Sequence, residues 1–132
     1  MYLADTNIFL EVLLNQQRSD DVVELFSKTP LEKIFISEFS FYSIGLFLLN
    51  RKKSDLFLKF IDDLFLNGQL QVLKLEPLHM KQLIENSKQF SLDFDDAYQY
   101  TIIQVYSLVL ISFDKDFDRT MAGRKTPKEI CG

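Results

Sequence analysis

Four short apolar runs punctuate this chain: MYLAD (1–5), KIFIS (33–37), QVLKL (71–75) and LVLISF (108–113). Segments whose apolar residues recur at helical spacing separate each run from the next. Strands joined through helices cannot pair as hairpins. They need crossover connections, and so a parallel sheet covered on both faces. The expected fold class is α/β: a three-layer α/β/α sandwich on a short, mostly parallel sheet of four to five strands.

The intervening segments read as helices. TNIFLEVLLN follows the first run, with Thr6 or Asn7 able to cap and Ile8, Phe9, Val12 and Leu13 on one face. SDDVVELFSKTP is expected to be capped by Ser19 and ended by Pro30. EFSFYSIGLFLLNRKK is apolar around much of its circumference and basic at its end, which suits the helix dipole. SDLFLKFIDDLFLNG reads as one helix from a Ser54 cap to a Gly68 stop. Pro77 opens PLHMKQLIENSKQF at a position where its missing N–H costs nothing, and acids crowd the first turn of DFDDAYQYTIIQVYS. The polar end from Asp114 has room for one short last strand.

No linker or change of composition divides the 132 residues, so one domain over 1–132 is expected. Apolar residues make up 47% of the chain and Phe alone accounts for 13, enough for a sizeable core. A net charge of −4 argues against a protein that coats nucleic acid through positive charge, but leaves room for an enzyme that meets phosphates through a cation. The single thiol, Cys131, cannot form an internal disulfide, which suits a reducing cytoplasm. No leader is expected, because no basic residues precede the first apolar run. No membrane association is expected either: the stretch Phe39 to Leu49 falls well short of the ~20 residues that span a bilayer.

The placement of acids carries the chemistry. Asp5 ends the first run, Asp114 follows the fourth, and Asp95 and Asp96 sit in the first turn of the helix leading into the fourth. Ligands of open parallel sheets bind beyond the carboxyl ends of the strands, at the point where strand order reverses. Strands one and four, if adjacent there, bring together acids from opposite ends of the chain. Clustered carboxylates repel unless a cation compensates them, and an oxygen-only set without His or Cys suits Mg²⁺ or Mn²⁺. Each acid taken alone has a structural reading. Asp5, Asp95 and Asp96 stand where helix caps stand, and Asp116 and Asp118 fit a solvated loop. The four glycines are isolated, so no phosphate-cradling loop is present, and the only histidine, His79, lies in a helix after Pro77.

Three stretches in order resemble a PIN domain, the metal-dependent nuclease fold that includes the VapC-type toxins of bacterial toxin–antitoxin pairs. YLADTNIFL is similar to the family's opening strand, and its metal-binding aspartate maps to Asp5. LDFDDAYQYTIIQ is similar to the helix whose acid maps to Asp96, with Asp95 beside it. LVLISFDKDF is similar to the fourth-strand motif, mapping its hydroxyl to Ser112, its acid to Asp114 and a second, less constant acid to Asp116. KTPKEI is similar to the family's final strand. One departure stands out. The glutamate of the pattern I-S-x-x-T-x-x-E, laid over ISEFSFYS, falls on Ser43. Glu38 lies five residues earlier, about 140° away around a helix.

The resemblance implies an Mg²⁺- or Mn²⁺-dependent ribonuclease, possible toxin of a toxin–antitoxin pair, with Asp5, Asp96, Asp114 and Asp116 as the metal set and Asp5, Asp96 and Asp114 as its catalytic core. RNA, an antitoxin protein and a second copy of the chain are the implied partners. RKK at 51–53 and the run Arg119, Arg124, Lys125 and Lys128 are candidate RNA contacts. Two other classes compete. Ser43 favours a PIN-fold binding or regulatory module with weakened catalysis. A phospho-acceptor receiver domain ranks last, because it expects paired acids after the first strand.

Overall fold

The computed structural model describes residues 1–132. Four strands form the sheet: β1 (Tyr2–Ala4), β2 (Ile34–Ser37), β3 (Gln71–Leu73) and β4 (Val109–Ile111). Seven helices surround it: α1 (Thr6–Leu13), α2 (Ser19–Lys28), α3 (Glu38–Asn50), α4 (Ser54–Ile61), α5 (Met80–Phe90), α6 (Phe94–Tyr106) and α7 (Pro127–Cys131). The strand order is β3-β2-β1-β4, and every pair is parallel. A receiver-like sheet would instead run 2-1-3-4-5.

Period-two alternation sends successive strand residues to opposite layers. Ala4, Ile34, Ile36 and Ile111 pack with Phe9, Leu25, Ile44 and Phe60 beneath the layer of α1 to α4. Leu3 and Leu110 point the other way, into a core with Leu83, Tyr100, Ile102 and Phe117 under α5 and α6. Both faces of the sheet are therefore covered, which is why the strand sequences are nearly continuous in apolar residues.

Several local expectations change. Ser19 is the first residue of α2 rather than its cap, and its Oγ donates to Asn15 Oδ1 at 3.1 Å. Likewise Ser54 begins α4 after Lys53, which makes no side-chain cap. The long helix expected from Ser54 to Gly68 splits: α4 ends at Ile61, and Asp62–Leu66 continue as a wider π-helical turn. KTPKEI supplies only a single parallel bridge, Lys125 beside Ile111, before the chain enters α7. Thr126 and Glu129 cap that helix reciprocally, with Pro127 at its first turn, and this drives the segment into a helix.

α3 is buried along one side only. Ile44 and Leu48 enter the core, but Tyr42, Leu46 and Leu49 are 63%, 66% and 55% exposed. Gly45 admits a neighbour within the same chain. A Cβ there would stand 2.9 Å from the Phe57 ring of α4, so the small residue serves the α3–α4 contact.

Candidate metal centre

The chain leaves β1 toward β2 on one side, while β4 pairs with β1 on the other. Their carboxyl ends therefore flank the point where strand order reverses. The Asp5 amide donates to Ile111 O at 2.9 Å, which locks the two strand ends together. A cleft of about 220 Å³ opens above them, and its lining includes Asp5, Ser43, Asp95, Asp96, Gln99 and Asp114.

Each acid reaches the cleft by a different element. Asp5 stands at the N-cap position of α1 and is 6% exposed. Its Oδ1 accepts from Thr6 N at 2.8 Å and Gln99 Nε2 at 3.0 Å. Its Oδ2 accepts from Ser112 Oγ at 2.7 Å and, more weakly, from Asn7 Nδ2 at 3.4 Å. Three short bonds and one long one, from Asn7, fix the orientation of this carboxylate. Asp5 caps α1 and lines the cleft at the same time.

Asp96 projects from the first turn of α6. The capping work expected of Asp95 or Asp96 is done by Asp93, whose Oδ1 accepts from Asp96 N at 3.0 Å. This leaves the Asp96 carboxylate for the cleft. Asp114 is held by two short bonds after β4. Its amide donates to Ser112 Oγ at 2.9 Å, and its Oδ1 accepts from Asp116 N at 2.8 Å. One oxygen from each of Asp96, Asp114 and Asp116 lies within 4.8 Å of the others. Asp116 already has a cationic partner, Arg119 Nη1 at 3.3 Å. Asp5 sits in the same cleft outside that trio of oxygens.

The crowding has an electrostatic signature. Burial pushes the Asp96 carboxyl up to about 7, and the charges of Asp114, Asp93, Asp5 and Asp116 add to the shift. Asp5 is also raised by burial, against the downward pull of Ser112, Gln99 and Thr6, and Asp95 is raised by burial and by Asp93. A set of hard oxygen ligands close together, only Asp116 among them paired with a cation, fits a divalent cation of the Mg²⁺ or Mn²⁺ type.

On α3, Ser43 lines the cleft and Glu38 does not. The register that placed the family glutamate on Ser43 therefore agrees with the geometry, and no acid of α3 reaches the site. Two contacts escaped the sequence reading. Asn7 bridges the strand ends, taking Phe113 N on its Oδ1 while its Nδ2 meets Asp5 and Ser112. Gln99 lies three residues after Asp96, hence on the same helix face, and a lone amide in an otherwise apolar stretch was its signal. The basic candidates are partly engaged elsewhere. Arg119 holds Phe90 O and Ser91 O, and Arg124 pairs with Asp118 while donating to Ser112 O. His79 has a local role, with Nδ1 accepting from Glu76 N at 2.9 Å.

The fold and site together define an α/β/α protein with a parallel sheet and an acidic cleft at its switch point. The PIN domain model matches residues 2–122, and the chain belongs to the PIN domain family. No curated protein sequence matches it. Solved structures share the fold at low identity. A toxin–antitoxin complex from Klebsiella pneumoniae is 21% identical with a TM-score of 0.76, over 98% of this chain and 99% of that one. A sarcin–ricin-loop-cleaving VapC toxin of Mycobacterium tuberculosis is 15% identical with a TM-score of 0.78, over 92% and 96%. FitAcB from Neisseria gonorrhoeae is 22% identical with a TM-score of 0.71, over 96% and 98%.

Proposed function

We propose that this chain is a divalent-cation-dependent ribonuclease of the toxin type. The observation that carries the reading is the meeting of Asp96 and Asp114 beside Asp5 in one cleft, with an Asp116 oxygen within 4.8 Å of those of Asp96 and Asp114. Asp5, Asp96 and Asp114 would hold Mg²⁺ or Mn²⁺, with Asp116 in reserve behind Arg119. The cation supplies activation of water and neutralisation of the phosphodiester charge. The protein's own part is positional. Ser112 and Asn7 fix Asp5, Asp93 frees Asp96, and the Ser112 hydroxyl ties Asp114 to the same strand end. Arg18, whose guanidinium lies 3.8 Å over the Phe113 ring, is a cation at the strand end with no carboxylate partner, suited to an RNA phosphate.

The partners follow from the family's company and from the surface. Two of the similar folds are described as antitoxin-bound or as a toxin that cleaves the sarcin–ricin loop, which supports an antitoxin and an RNA as partners here. The exposed apolar face of Tyr42, Leu46 and Leu49 supports a homodimer or an antitoxin contact. The lone thiol suits a cytoplasmic setting, and no helix is long and apolar enough to cross a membrane.

Ser43 favours the second reading, a PIN-fold binding module, because it brings a neutral hydroxyl to the cleft where the family pattern has a carboxylate. Incubating purified protein with structured RNA and Mn²⁺ separates the two. The nuclease reading expects cleavage that Asp114→Asn abolishes. RNA left intact at saturating Mn²⁺, across several substrates, supports the binding module instead.

A further inference from the structure

Gln99 is 2% exposed and sits in the middle of an apolar stretch of α6. Its amide nitrogen donates to Asp5 Oδ1 at 3.0 Å and to Ser40 Oγ at 2.8 Å. Its Oε1 is buried without any hydrogen-bond partner. That arrangement is costly, since an orphaned interior carbonyl loses its hydration and receives nothing in return. Turning the amide over would not help, because its oxygen would then face the Asp5 carboxylate, acceptor against acceptor. The orientation is dictated by Asp5. A residue filling the same volume with carbon would pack there without an orphan, so packing does not account for a glutamine.

Three elements meet at this amide: the end of β1 through Asp5, α3 through Ser40, and α6 through Gln99 itself. Ser40 precedes Ser43 by three residues, so it stands on the face of α3 that borders the cleft. Thr6 Oγ1 donates to Ser40 Oγ at 2.7 Å, which closes the chain of bonds back to α1. The amide therefore fixes the plane of Asp5 against both flanking helices.

We propose that Gln99 is a positioning residue for Asp5: by holding Oδ1 and Ser40 together, it aims the Asp5 carboxylate at the cation site and sets cation affinity without touching the cation. The inference rests on the metal reading above. Groups that orient a metal ligand from behind typically contribute about 10–100-fold to metal affinity.

The test uses Mn²⁺ itself as the probe, with its dissociation constant read by electron paramagnetic resonance. Gln99→Met keeps the volume and removes both donors and the orphan. Its Mn²⁺ affinity is expected to fall by about tenfold or more. Its metal-free melting temperature is expected to hold or rise, an outcome that a merely structural glutamine would not give. Mn²⁺ affinity equal to the wild type overturns the inference while leaving the metal site intact. Should Gln99→Met fail to fold, Ser40→Ala decides. It releases the other anchor of the amide, and weaker Mn²⁺ binding supports the inference where unchanged binding overturns it. Wild-type protein that binds no Mn²⁺ defeats the metal reading, and the inference falls with it.

Discussion

The hydroxyl of Ser112 donates to Asp5 Oδ2 over 2.7 Å, joining the carboxyl ends of β1 and β4 across 107 residues of chain. The same oxygen accepts from Asp114 N, so one serine fixes the relative positions of two of the cleft's acids. Ser112→Ala is expected to weaken cation binding by about tenfold, because an unaimed carboxylate costs the site affinity. Calorimetric titration with Mn²⁺ checks it, and an unchanged dissociation constant would show that Asp5 is held well enough by its other donors.

Removing the repulsion at Asp96 is expected to stabilise the metal-free fold. Asp96 is not the helix cap, since Asp93 does that work, and its charge is opposed by four neighbouring acids. Asp96→Asn should hold or raise the metal-free melting temperature, by about 2–8 °C at most, and abolish the gain that Mn²⁺ gives the wild type. A clear fall in melting temperature would mark Asp96 as structural.

Stability should also depend on pH in a defined direction. The folded-state Asp96 carboxyl titrates near 7, above its ordinary value of 3.8. The folded protein therefore binds that proton more tightly than the unfolded chain does. The resulting stability is complete below the unfolded value and is lost as pH rises through the folded one. Chemical denaturation of metal-free protein should show this loss between pH 4 and 7. Asp96→Asn, or saturating Mg²⁺, should flatten the profile.

Ser43 lines the cleft, so restoring an acid there is expected to tighten cation binding. Ser43→Glu should lower the Mn²⁺ dissociation constant by about tenfold and raise any RNA cleavage at low metal, since an added charged ligand outweighs a neutral hydroxyl. Efficient cleavage by the wild type at low Mg²⁺, unaffected by Ser43→Glu, would mean that the three or four aspartates suffice.

The exposed face of α3 predicts self-association. Leu46 is 66% exposed between Tyr42 and Leu49, one turn away on either side. Leu46→Asp should leave the fold intact and convert a dimer to a monomer in light scattering. A wild type that is monomeric at high concentration would assign that face to a different partner.

Much of this was legible from sequence because the strong signals are local or periodic. The four apolar runs became the four strands, and the reversal of strand order brought Asp5 and Asp114 to one cleft. Capping was less legible. Ser19 and Ser54 have the right chemistry for caps, yet both entered their helices, because the preceding residues had already taken turn conformations. The last strand shrank to Lys125 because the Thr126–Glu129 capping box made the following residues a better helix than strand. The apolar circumference of α3 was legible, but apolar content does not say which face has a partner within the chain. Gln99 left only a faint signal, a lone amide in an apolar stretch, because its importance comes from Asp5 and Ser40, neither of which is near it in sequence.

The central claim is that the acids of α6 and of the β1 and β4 ends form a cation site. A crystal of the wild-type protein soaked in Mn²⁺, with anomalous data collected at the manganese edge, tests it most directly. The account predicts an ion in the cleft with oxygens of Asp96 and Asp114 within about 2.2 Å and Asp5 turned toward it. No anomalous peak in the cleft at millimolar Mn²⁺, or one bound only by Asp116 and solvent, would contradict it.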